Sequence, residues 1–468
     1  MRLDEIATLL GGVVDGPGDA AGVLVTGPAF LDSRAPEPGG LFAAFAGEHT
    51  DGHEFAGAAV AGGAAAVLGS RATGVPTVVV ADVGAALQEL ARVVLARLRG
   101  SGSLQVIALT GSSGKTSTKD LLARVLEAAA PTVATHGSFN NELGLPLTVL
   151  RAVPQTRHLV LEMGSRGIGH LRALTAIARP DLSMVLNVGT AHIGEFGSQA
   201  NIALAKGELV EALSAEGTAV LNADDPLVRA MASRTDARLI TFGTAGDATV
   251  RIADVRLDDL GRPSFTVTVG GESVEIAMQL LGAHQALNAA AVVAAATSSG
   301  LALAAVAEQL ASVRALSPWR MEVHERPDGA VVINDAYNAN PDSMRAALDT
   351  LAGIGERTGR RTVAVLGEMR ELGGTSATAH AEMGRYLDEL GIDVSVVIGA
   401  DAAAIDAKST RHVDSVAEAV AWLGNNVQRN DVVLIKASRG ARLERVAYAL
   451  LDETARTSPD GRPQGARQ

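Results

Sequence analysis

The sequence predicts an α/β protein with three domains, of which the second and third contain mostly parallel sheets. Short runs rich in Val, Ile and Leu alternate with longer helix-forming segments along most of the chain, a pattern typical of strands covered by helices. The chain has 468 residues, which is too many for one hydrophobic core. Because 47% of the residues are apolar and only 20% are charged, the chain can bury large cores.

The composition argues against several kinds of partner and site. A net charge of −12 argues against nucleic acid or an anionic membrane as the main partner. The absence of cysteine excludes disulfides, thiolate metal sites and cysteine nucleophiles, and it fits a reducing cytoplasm. No secretory signal is visible at the acidic N-terminus. The alanine-rich stretch 286–307 is interrupted by polar residues, so it predicts buried helices without membrane insertion.

Residues 1–100 predict a small α/β domain that ends in an amphipathic helix at 83–99. Two polar loops stand out in it. Their residues are Asp32, Ser33 and Arg34 in the first loop, and Asp51, Gly52 and His53 in the second. Both loops suit turn chemistry as well as ligand binding, and the pattern alone leaves both interpretations open. A Gly-Ser-Gly segment at 100–103 predicts a linker to the next domain.

Residues 101–316 predict a doubly wound domain with a mostly parallel sheet. Apolar runs at 159–161, 184–186 and 219–221 each end in a polar cluster. Because parallel sheets bind ligands at the carboxyl ends of their strands, these clusters belong on one side of the sheet. Residues 249–278 alternate with a period of two, which predicts a small antiparallel extension.

A glycine-rich loop lies between a predicted strand at 106–110 and a predicted helix at 117–130. Its residues are Gly111, Ser112, Ser113, Gly114, Lys115 and Thr116, followed by Ser117. Such a loop points backbone N–H groups at phosphate oxygens, with the positive end of the helix dipole behind them. Lys115 would reach the terminal phosphates, and the Thr116 hydroxyl would bind Mg²⁺. The loop is one residue shorter than the general pattern, so a Gly/Ser turn followed by a surface lysine is the alternative.

Three further residues of this domain are candidates for chemistry. Glu162 follows a buried-type strand and could bind Mg²⁺ beside Thr116, although a strand-end glutamate is often only solvated. His192 is either a ligand or a structural histidine. Lys206 lies in a helical segment whose pattern alone favours a surface lysine. Lysine is nevertheless rare, because only five of the 40 basic residues are lysines, so each lysine suggests a need for a compact, titratable amine.

Residues 317–455 predict a Rossmann-like domain without a dinucleotide fingerprint. Its predicted strands lie at 331–333, 362–366, 395–398 and 431–435. Arg320, at the junction with the preceding domain, could reach a phosphate across it. Lys436 follows a strand and is either functional or a simple edge charge. Residues 456–468 are rich in Pro, Gly, Arg and Gln and predict a disordered tail.

The motifs, taken in order, resemble those of the Mur ligases over about residues 20–450. Seven segments carry the resemblance, at 111–116, 140–146, 162–164, 187–192, 205–207, 282–288 and 335–341. The short glycine-rich loop is the form that this family uses. The loops at 337–341 and 366–373 look like those of the branch that adds a dipeptide, and the Asp-Asn-Pro-Arg signature of the diaminopimelate-adding branch is absent.

The resemblance implies a role for each domain. The N-terminal domain would hold the UDP-sugar end of the substrate through Asp32, Ser33, Arg34, Asp51 and His53. The central domain would bind ATP through the loop 111–117, together with two Mg²⁺ ions.

The resemblance also implies ligands for the two metal ions. Thr116 and Glu162 would hold one Mg²⁺ and His192 would help to hold the other. Lys206 matches a lysine that CO₂ converts to a carbamate, an anionic oxygen ligand. Only an uncharged amine can form it, so arginine could not substitute.

Further contacts follow from the resemblance. Asn288 matches a family residue that contacts adenine, and Arg320 matches an arginine that contacts a phosphate across the domains. Asp335 and Asn338 match residues that make further contacts to the nucleotide. The matched substrate contacts are Asn140, Asn141 and Lys436.

The activity that the resemblance implies is an ATP-driven amide ligation. The carboxylate of UDP-MurNAc-tripeptide would attack ATP to form an acyl phosphate, which the amine of D-alanyl-D-alanine would then attack. A monomer in the cytoplasm is expected, with the C-terminal domain closing over the central one. The alternatives are a sibling ligase that adds one amino acid, a folylpolyglutamate synthase, and a P-loop kinase or nucleotide switch.

Overall fold

A computed structural model describes residues 1–47, 50–100, 102–190, 193–315 and 317–452. These residues form sheets of five, nine and six strands, each packed against helices. Most neighbouring strands in the three sheets are parallel, which confirms the predicted α/β class. The limits of the three predicted domains remain a prediction, and the predicted tail at 456–468 and His192 lie outside the described residues.

The first sheet forms within the N-terminal hundred residues. Its elements are α1 (Leu3–Leu10), β1 (Val13–Asp15), β2 (Ala29–Phe30), β3 (Leu41–Ala43), α2 (Ala56–Ala61), β4 (Ala66–Gly69), β5 (Thr77–Val79) and α3 (Val83–Gly100). The strand order is β1-β5-β4-β3-β2, with β1 antiparallel to β5. Helix α3 confirms the predicted amphipathic helix, because Val83, Leu87 and Leu90 are buried at helical spacing against this sheet.

The second sheet carries the glycine-rich loop. Its elements are β6 (Gln105–Thr110), α4 (Lys115–Glu127), β7 (Thr132–Ala134), α5 (Gly144–Val149), β8 (His158–Glu162), α6 (His170–Ile177), β9 (Leu182–Val185), α7 (Ile193–Phe196), α8 (Gln199–Glu211), β10 (Thr218–Asn222), α9 (Pro226–Arg229), β11 (Arg238–Gly243), β12 (Val250–Leu257), β13 (Pro263–Val269), β14 (Glu272–Ala277), α10 (His284–Ser298) and α11 (Leu303–Ser312). Strand β6 lies between β8 and β9 and is parallel to both. The segments that follow these three strands therefore meet at one edge of the sheet.

Two predictions for this sheet are confirmed, and both ends of one predicted helix differ. Strands β12, β13 and β14 are antiparallel, as the two-residue period predicted. Helix α10 is buried along most of its length, as expected for the alanine-rich stretch. Helix α4 begins at Lys115 rather than at 117 and ends at Glu127 rather than at 130. Among the described residues, no helix has the length and apolar character needed to span a membrane.

The third sheet forms after the junction at 317–321. Its elements are β15 (Glu322–Glu325), β16 (Val331–Asp335), α12 (Pro341–Thr358), β17 (Thr362–Leu366), α13 (Ser376–Leu390), β18 (Val394–Ile398), β19 (Thr410–Val413), α14 (Val416–Asn426), β20 (Val432–Lys436) and α15 (Glu444–Leu451). The strand order is β15-β16-β20-β17-β18-β19. The two outer strands, β15 and β19, were not predicted. Because β20 lies between β16 and β17, Asp335 and Lys436 are direct neighbours across the sheet.

The second and third sheets face each other through several polar contacts. The Tyr337 hydroxyl donates a hydrogen bond to Ser138 Oγ. The Thr190 backbone N–H donates to Asp342 Oδ2 over 2.9 Å. The loops that follow the strands of the two sheets therefore enclose a common space.

Candidate active site

A cavity of about 950 Å³ lies between the second and third sheets. Most of the predicted nucleotide, metal and substrate residues of both sheets line it. They are Ser112, Ser113, Gly114, Lys115, Thr116, Ser117, Asn140, Asn141, Glu162, Lys206, Asn288, Arg320, Asp335, Asn338 and Lys436. The tertiary structure thus collects residues from distant parts of the sequence around one space large enough for a nucleotide.

The glycine-rich loop forms the floor of this cavity. Gly114 has a φ of +77° at the start of α4, and a Cβ atom there would lie 2.7 Å from Asn288 Oδ1, so only glycine fits. The N-terminus of α4 has no side-chain cap hydrogen bond among the described residues. Lys115 Nζ donates to the Gly111 carbonyl over 2.7 Å. A helix start with open N–H groups beside an amine is suited to binding phosphate.

Asn187 holds the glycine-rich loop in place and was not among the predicted site residues. Its Oδ1 accepts the backbone N–H groups of Ser112 and Ser113, each over 2.9 Å. Its Nδ2 donates to the Ser113 carbonyl over 3.2 Å. Its position in the polar cluster that follows a strand was the available signal, because that cluster meets the loop at the same edge of the sheet.

Glu162 presents one oxygen to the cavity without a partner. The residue ends β8 and is only 1% exposed. Its Oε1 accepts Asn140 Nδ2 over 2.7 Å, whereas the buried Oε2 has no hydrogen-bond partner in the described part of the chain. An unpaired buried carboxylate oxygen is costly unless a cation binds it. With the Thr116 hydroxyl lining the same cavity, these donors fit Mg²⁺.

The described residues contain no group of three or more His, Asp or Glu side chains that could hold a metal alone. A cation at Glu162 and Thr116 would therefore need further oxygen ligands from substrate phosphates, water or another group. This fits the pattern of Mg²⁺, which proteins bind through few carboxylates together with phosphates.

Lys206 is buried rather than on the surface, so the interpretation from the helical pattern alone was wrong. It lies on α8 and is 5% exposed, facing the cavity. Burial lowers the pKa of its amine well below the usual 10.5, and the nearby charge of Lys115 lowers it further. Burial likewise lowers the pKa of Lys115, a shift that the Glu162 carboxylate opposes. Lys206 is therefore the described lysine best suited to react as an uncharged amine.

The third sheet contributes an ion pair to the wall of the cavity. Lys436 Nζ donates to Asp335 Oδ2 over 2.6 Å and to the Asn338 carbonyl over 2.8 Å. Asp335 Oδ1 accepts the Met321 backbone N–H over 3.1 Å. Lys436 is 2% exposed on an interior strand, so the alternative of an edge charge is wrong. The pair fixes the loop that follows β16 and the turn that carries Arg320.

Arg320 enters the cavity from a strained turn. Its neighbours Trp319 and Met321 have φ values of +61° and +50°, in the left-handed region. For residues other than glycine this conformation costs about 1–3 kcal/mol each. The Arg320 guanidinium lies 4.1 Å from the centre of the Tyr337 ring, and its buried Nε has no hydrogen-bond partner in the described residues. The turn thus places the Arg320 side chain at the wall of the cavity.

The predicted residues of the first sheet are not brought into this cavity. Asp32 pairs with the exposed Arg34 over 2.8 Å, which lowers the pKa of the Asp32 carboxyl to about 2. The buried His53 ring bonds to Asp51 through Nδ1 over 2.6 Å and accepts the Ser70 N–H at Nε2 over 2.9 Å. These contacts stabilise the two loops, and any ligand of theirs would bind at a separate surface.

Comparison with known families gives three matches along the chain. Residues 30–108 match the family model described as "Mur ligase family, catalytic domain". Residues 109–296 match "Mur ligase middle domain", and residues 319–439 match "Mur ligase, glutamate ligase domain".

Curated relatives of this chain carry the name UDP-N-acetylmuramoyl-tripeptide–D-alanyl-D-alanine ligase. The protein from Mycobacterium tuberculosis is 44% identical, with 97% of this chain and 98% of the relative covered. The protein from Escherichia coli is 34% identical, with 96% and 98% covered.

The crystal structure of MurF ligase from Thermotoga maritima in complex with ADP has a TM-score of 0.80 at 30% identity, covering 93% of this chain and 99% of that one. A structure of MurF from Acinetobacter baumannii has a TM-score of 0.83 at 30% identity, covering 96% and 98%. The similarity therefore extends over all three sheets.

Proposed function

This chain belongs to the Mur ligase family, and we propose that it is an ATP-dependent ligase that joins D-alanyl-D-alanine to UDP-N-acetylmuramoyl-tripeptide. The product would be the pentapeptide precursor of peptidoglycan. The observation that carries the proposal is the meeting of Lys115, Glu162 and Lys206 with Arg320 and Asp335 around one cavity. Relatives of that name, 44% and 34% identical over nearly the whole chain, support it.

The first step activates the donor. A free carboxylate is a poor acyl donor because its leaving group is poor, whereas phosphate leaves readily. The terminal carboxylate of the tripeptide therefore attacks the γ-phosphorus of ATP, forming an acyl phosphate and ADP. Lys115 and Arg320 place positive charge opposite the transferring phosphoryl group. Asn140 and Asn141 line the cavity and orient the donor carboxylate.

The second step forms the amide. The uncharged amine of D-alanyl-D-alanine attacks the acyl carbon, and the tetrahedral intermediate releases phosphate while the nitrogen loses a proton. Water would destroy the acyl phosphate, so it has to be excluded. The cavity walls come from both the second and the third sheet, which supports exclusion of water when the third domain closes over the second. The wall near Lys436 is our proposed acceptor side.

Mg²⁺ ions and a CO₂-derived carbamate also belong to this proposal. Bound Mg²⁺ supplies charge neutralisation and oxygen binding at the phosphates. Thr116 and the unpaired oxygen of Glu162 would hold one ion, and His192, outside the described residues, would help to hold the second. A carbamate on Lys206 supplies an anionic oxygen, and the lowered pKa of that buried amine supports its formation from CO₂.

The first sheet would hold the UDP end of the donor. Asp32, Ser33 and Arg34 form an exposed loop, and the bonds of Asp51 and His53 fix a second one. We propose that these loops bind the nucleotide-sugar and leave the chemistry to the cavity. The use of ATP and a UDP-linked substrate favours a cytoplasmic location. We also propose a monomer, which analytical ultracentrifugation can test.

The decisive experiment measures phosphate release from ATP and Mg²⁺ with UDP-MurNAc-tripeptide, with D-alanyl-D-alanine added or withheld. Release that needs both substrates and yields pentapeptide supports the proposal. Use of a single amino acid in place of the dipeptide would instead favour a sibling ligase or a folylpolyglutamate synthase. Release that needs no amine would favour a kinase or nucleotide switch.

A further inference from the structure

A chain of aromatic and guanidinium contacts lies in the third domain, beside the junction turn at 317–321. The Arg439 guanidinium lies 4.2 Å from the centre of the Trp319 ring, and the Trp319 and Tyr337 rings stack with their centres 6.4 Å apart. Arg320 in turn lies 4.1 Å from the centre of the Tyr337 ring. The two aromatic rings thus connect two arginines that both line the cavity. We call these four side chains the junction stack.

The backbone at Trp319 does not favour a large side chain. Its φ of +61° is accessible to glycine without steric cost but strains a tryptophan. The surrounding bonds maintain this conformation: Trp319 N–H donates to Glu322 Oε2 and Trp319 C=O accepts the Tyr337 N–H, each over 3.2 Å. The indole N–H donates to the Tyr448 hydroxyl over 2.7 Å. A strained position that is held this firmly suggests that the ring itself is needed.

Outside the stack, the contacts of the two arginines differ. Arg320 Nε is buried without a hydrogen-bond partner in the described residues. Arg439 pairs with Glu444 over 2.7 Å, but about half of its side chain is exposed. An aromatic face within about 6 Å attracts a guanidinium and limits its orientation. The stack is therefore the feature that aims both cations.

We propose that Trp319 is a positioning residue that holds Arg320 toward the phosphates and Arg439 toward the acceptor side of the cavity. Trp319 does not line the cavity itself. It contacts Arg439 directly and acts on Arg320 through the Tyr337 ring. The inference rests on the proposed ligase function for its kinetic effects. Its structural consequence, a Trp319 ring that responds to ligands in the cavity, is independent of that function.

Two substitutions separate the aromatic face from simple packing. Trp319→Leu keeps an apolar side chain but removes the π face, whereas Trp319→Phe keeps an aromatic face without the indole N–H. We expect the leucine variant to lose about tenfold or more in kcat/KM for D-alanyl-D-alanine, with a raised KM, and the phenylalanine variant to stay within about threefold. If the leucine variant does not fold, Trp319→Gly replaces it in the comparison with Trp319→Phe, because glycine also removes the aromatic face and relieves the backbone strain.

A matched control comes from the second tryptophan of the chain. Trp422, on α14, has Arg411 over its ring at 5.5 Å and does not line the cavity. Trp422→Leu should leave both kinetic constants unchanged. A purely structural role of Trp319 would lower the melting temperature and the active fraction but leave the KM of the folded enzyme unchanged, and that result would overturn the proposal.

Fluorescence provides a readout that does not depend on turnover. The chain has two tryptophans, so Trp422→Phe leaves Trp319 as the only indole. Adding ADP with Mg²⁺, and then D-alanyl-D-alanine, should shift its emission with saturation. Unchanged emission would overturn the positioning role even if the ligase is active. The emission of the Trp422→Phe variant could shift on ligand binding although the protein releases no phosphate with both substrates. In that case the proposed function fails while the stack is supported.

Discussion

Charged side chains lie both in the cavity between the second and third sheets and in the polar loops of the first sheet. The two regions differ in whether these side chains have partners of opposite charge. In the loops, Asp32 pairs with Arg34, and Asp51 with Arg71 and His53. In the cavity, the second oxygen of Glu162 has no partner among the described residues, and Lys206 is buried near the like charge of Lys115.

This difference separates two kinds of site. A buried polar atom without a partner costs about 1–3 kcal/mol, and a buried amine has its pKa lowered. A fold retains such groups where a ligand or a reaction uses them. The paired loops carry no comparable cost and are suited to hold a substrate at a distance from the chemistry. The following predictions test this division, beginning with the largest effect.

Replacing Lys206 should remove activity almost completely. In Lys206→Arg the guanidinium stays charged and cannot form a carbamate, so we expect kcat to fall by about 10³-fold or more, measured as phosphate release with both substrates. The matched control is Lys408→Arg, a lysine that does not line the cavity. Activity of Lys206→Arg within tenfold of the parent would show that an uncharged amine is not required there.

Glu162→Gln should give the next largest effect. The amide can still accept from Asn140, but it lacks the charge that would bind Mg²⁺. We expect a fall of about 10²-fold in kcat and a higher Mg²⁺ concentration for half-maximal rate. Glu308→Gln, an exposed site on α11, is the control. A normal Mg²⁺ dependence in Glu162→Gln would remove this residue from the metal site.

The buried amine also predicts a pH dependence of stability. Between the lowered folded pKa of Lys206 and its usual 10.5, the unfolded state binds the additional proton, so the free energy of unfolding rises with pH. Lys206→Met removes this cost and should be the more stable protein at pH 7 in CO₂-free buffer. Its advantage should shrink by up to about 1.4 kcal/mol per pH unit as the pH rises, measured by urea unfolding. An advantage that stays constant with pH would contradict a lowered Lys206 pKa.

The smallest effect is expected in the first sheet. Arg34→Ala should raise the KM for UDP-MurNAc-tripeptide about threefold to tenfold and leave kcat unchanged, because this loop would bind substrate without taking part in the chemistry. Stability should not change, since exposed ion pairs contribute little. Arg92→Ala is matched to it, because Arg92 also pairs with an acid in the same domain. A fall in kcat without a change in KM would contradict the division between the two regions.

Local patterns predicted much of the fold. Strand β6, the glycine-rich loop and α4 follow from an apolar run, two glycines and a helix-forming segment. Only the helix ends and the first residue of the strand differed. In the third sheet, the missed strands β15 and β19 have four residues each and lie at the sheet edges, so they carry little apolar pattern. The candidate residues of the cavity came from the family resemblance more than from periodicity.

The sequence by itself determined the fold class, the glycine-rich loop between strand and helix, and the order of the family motifs, because each of these depends on neighbouring residues. Only the tertiary structure decided the environment of single side chains. The helical pattern at Lys206 favours a surface lysine, and the pattern at Lys436 leaves an edge charge and a functional residue open. Both are buried at the cavity, Lys206 near the charge of Lys115 and Lys436 against Asp335. Burial and charge depend on which distant segments pack together, and no local pattern records that contact.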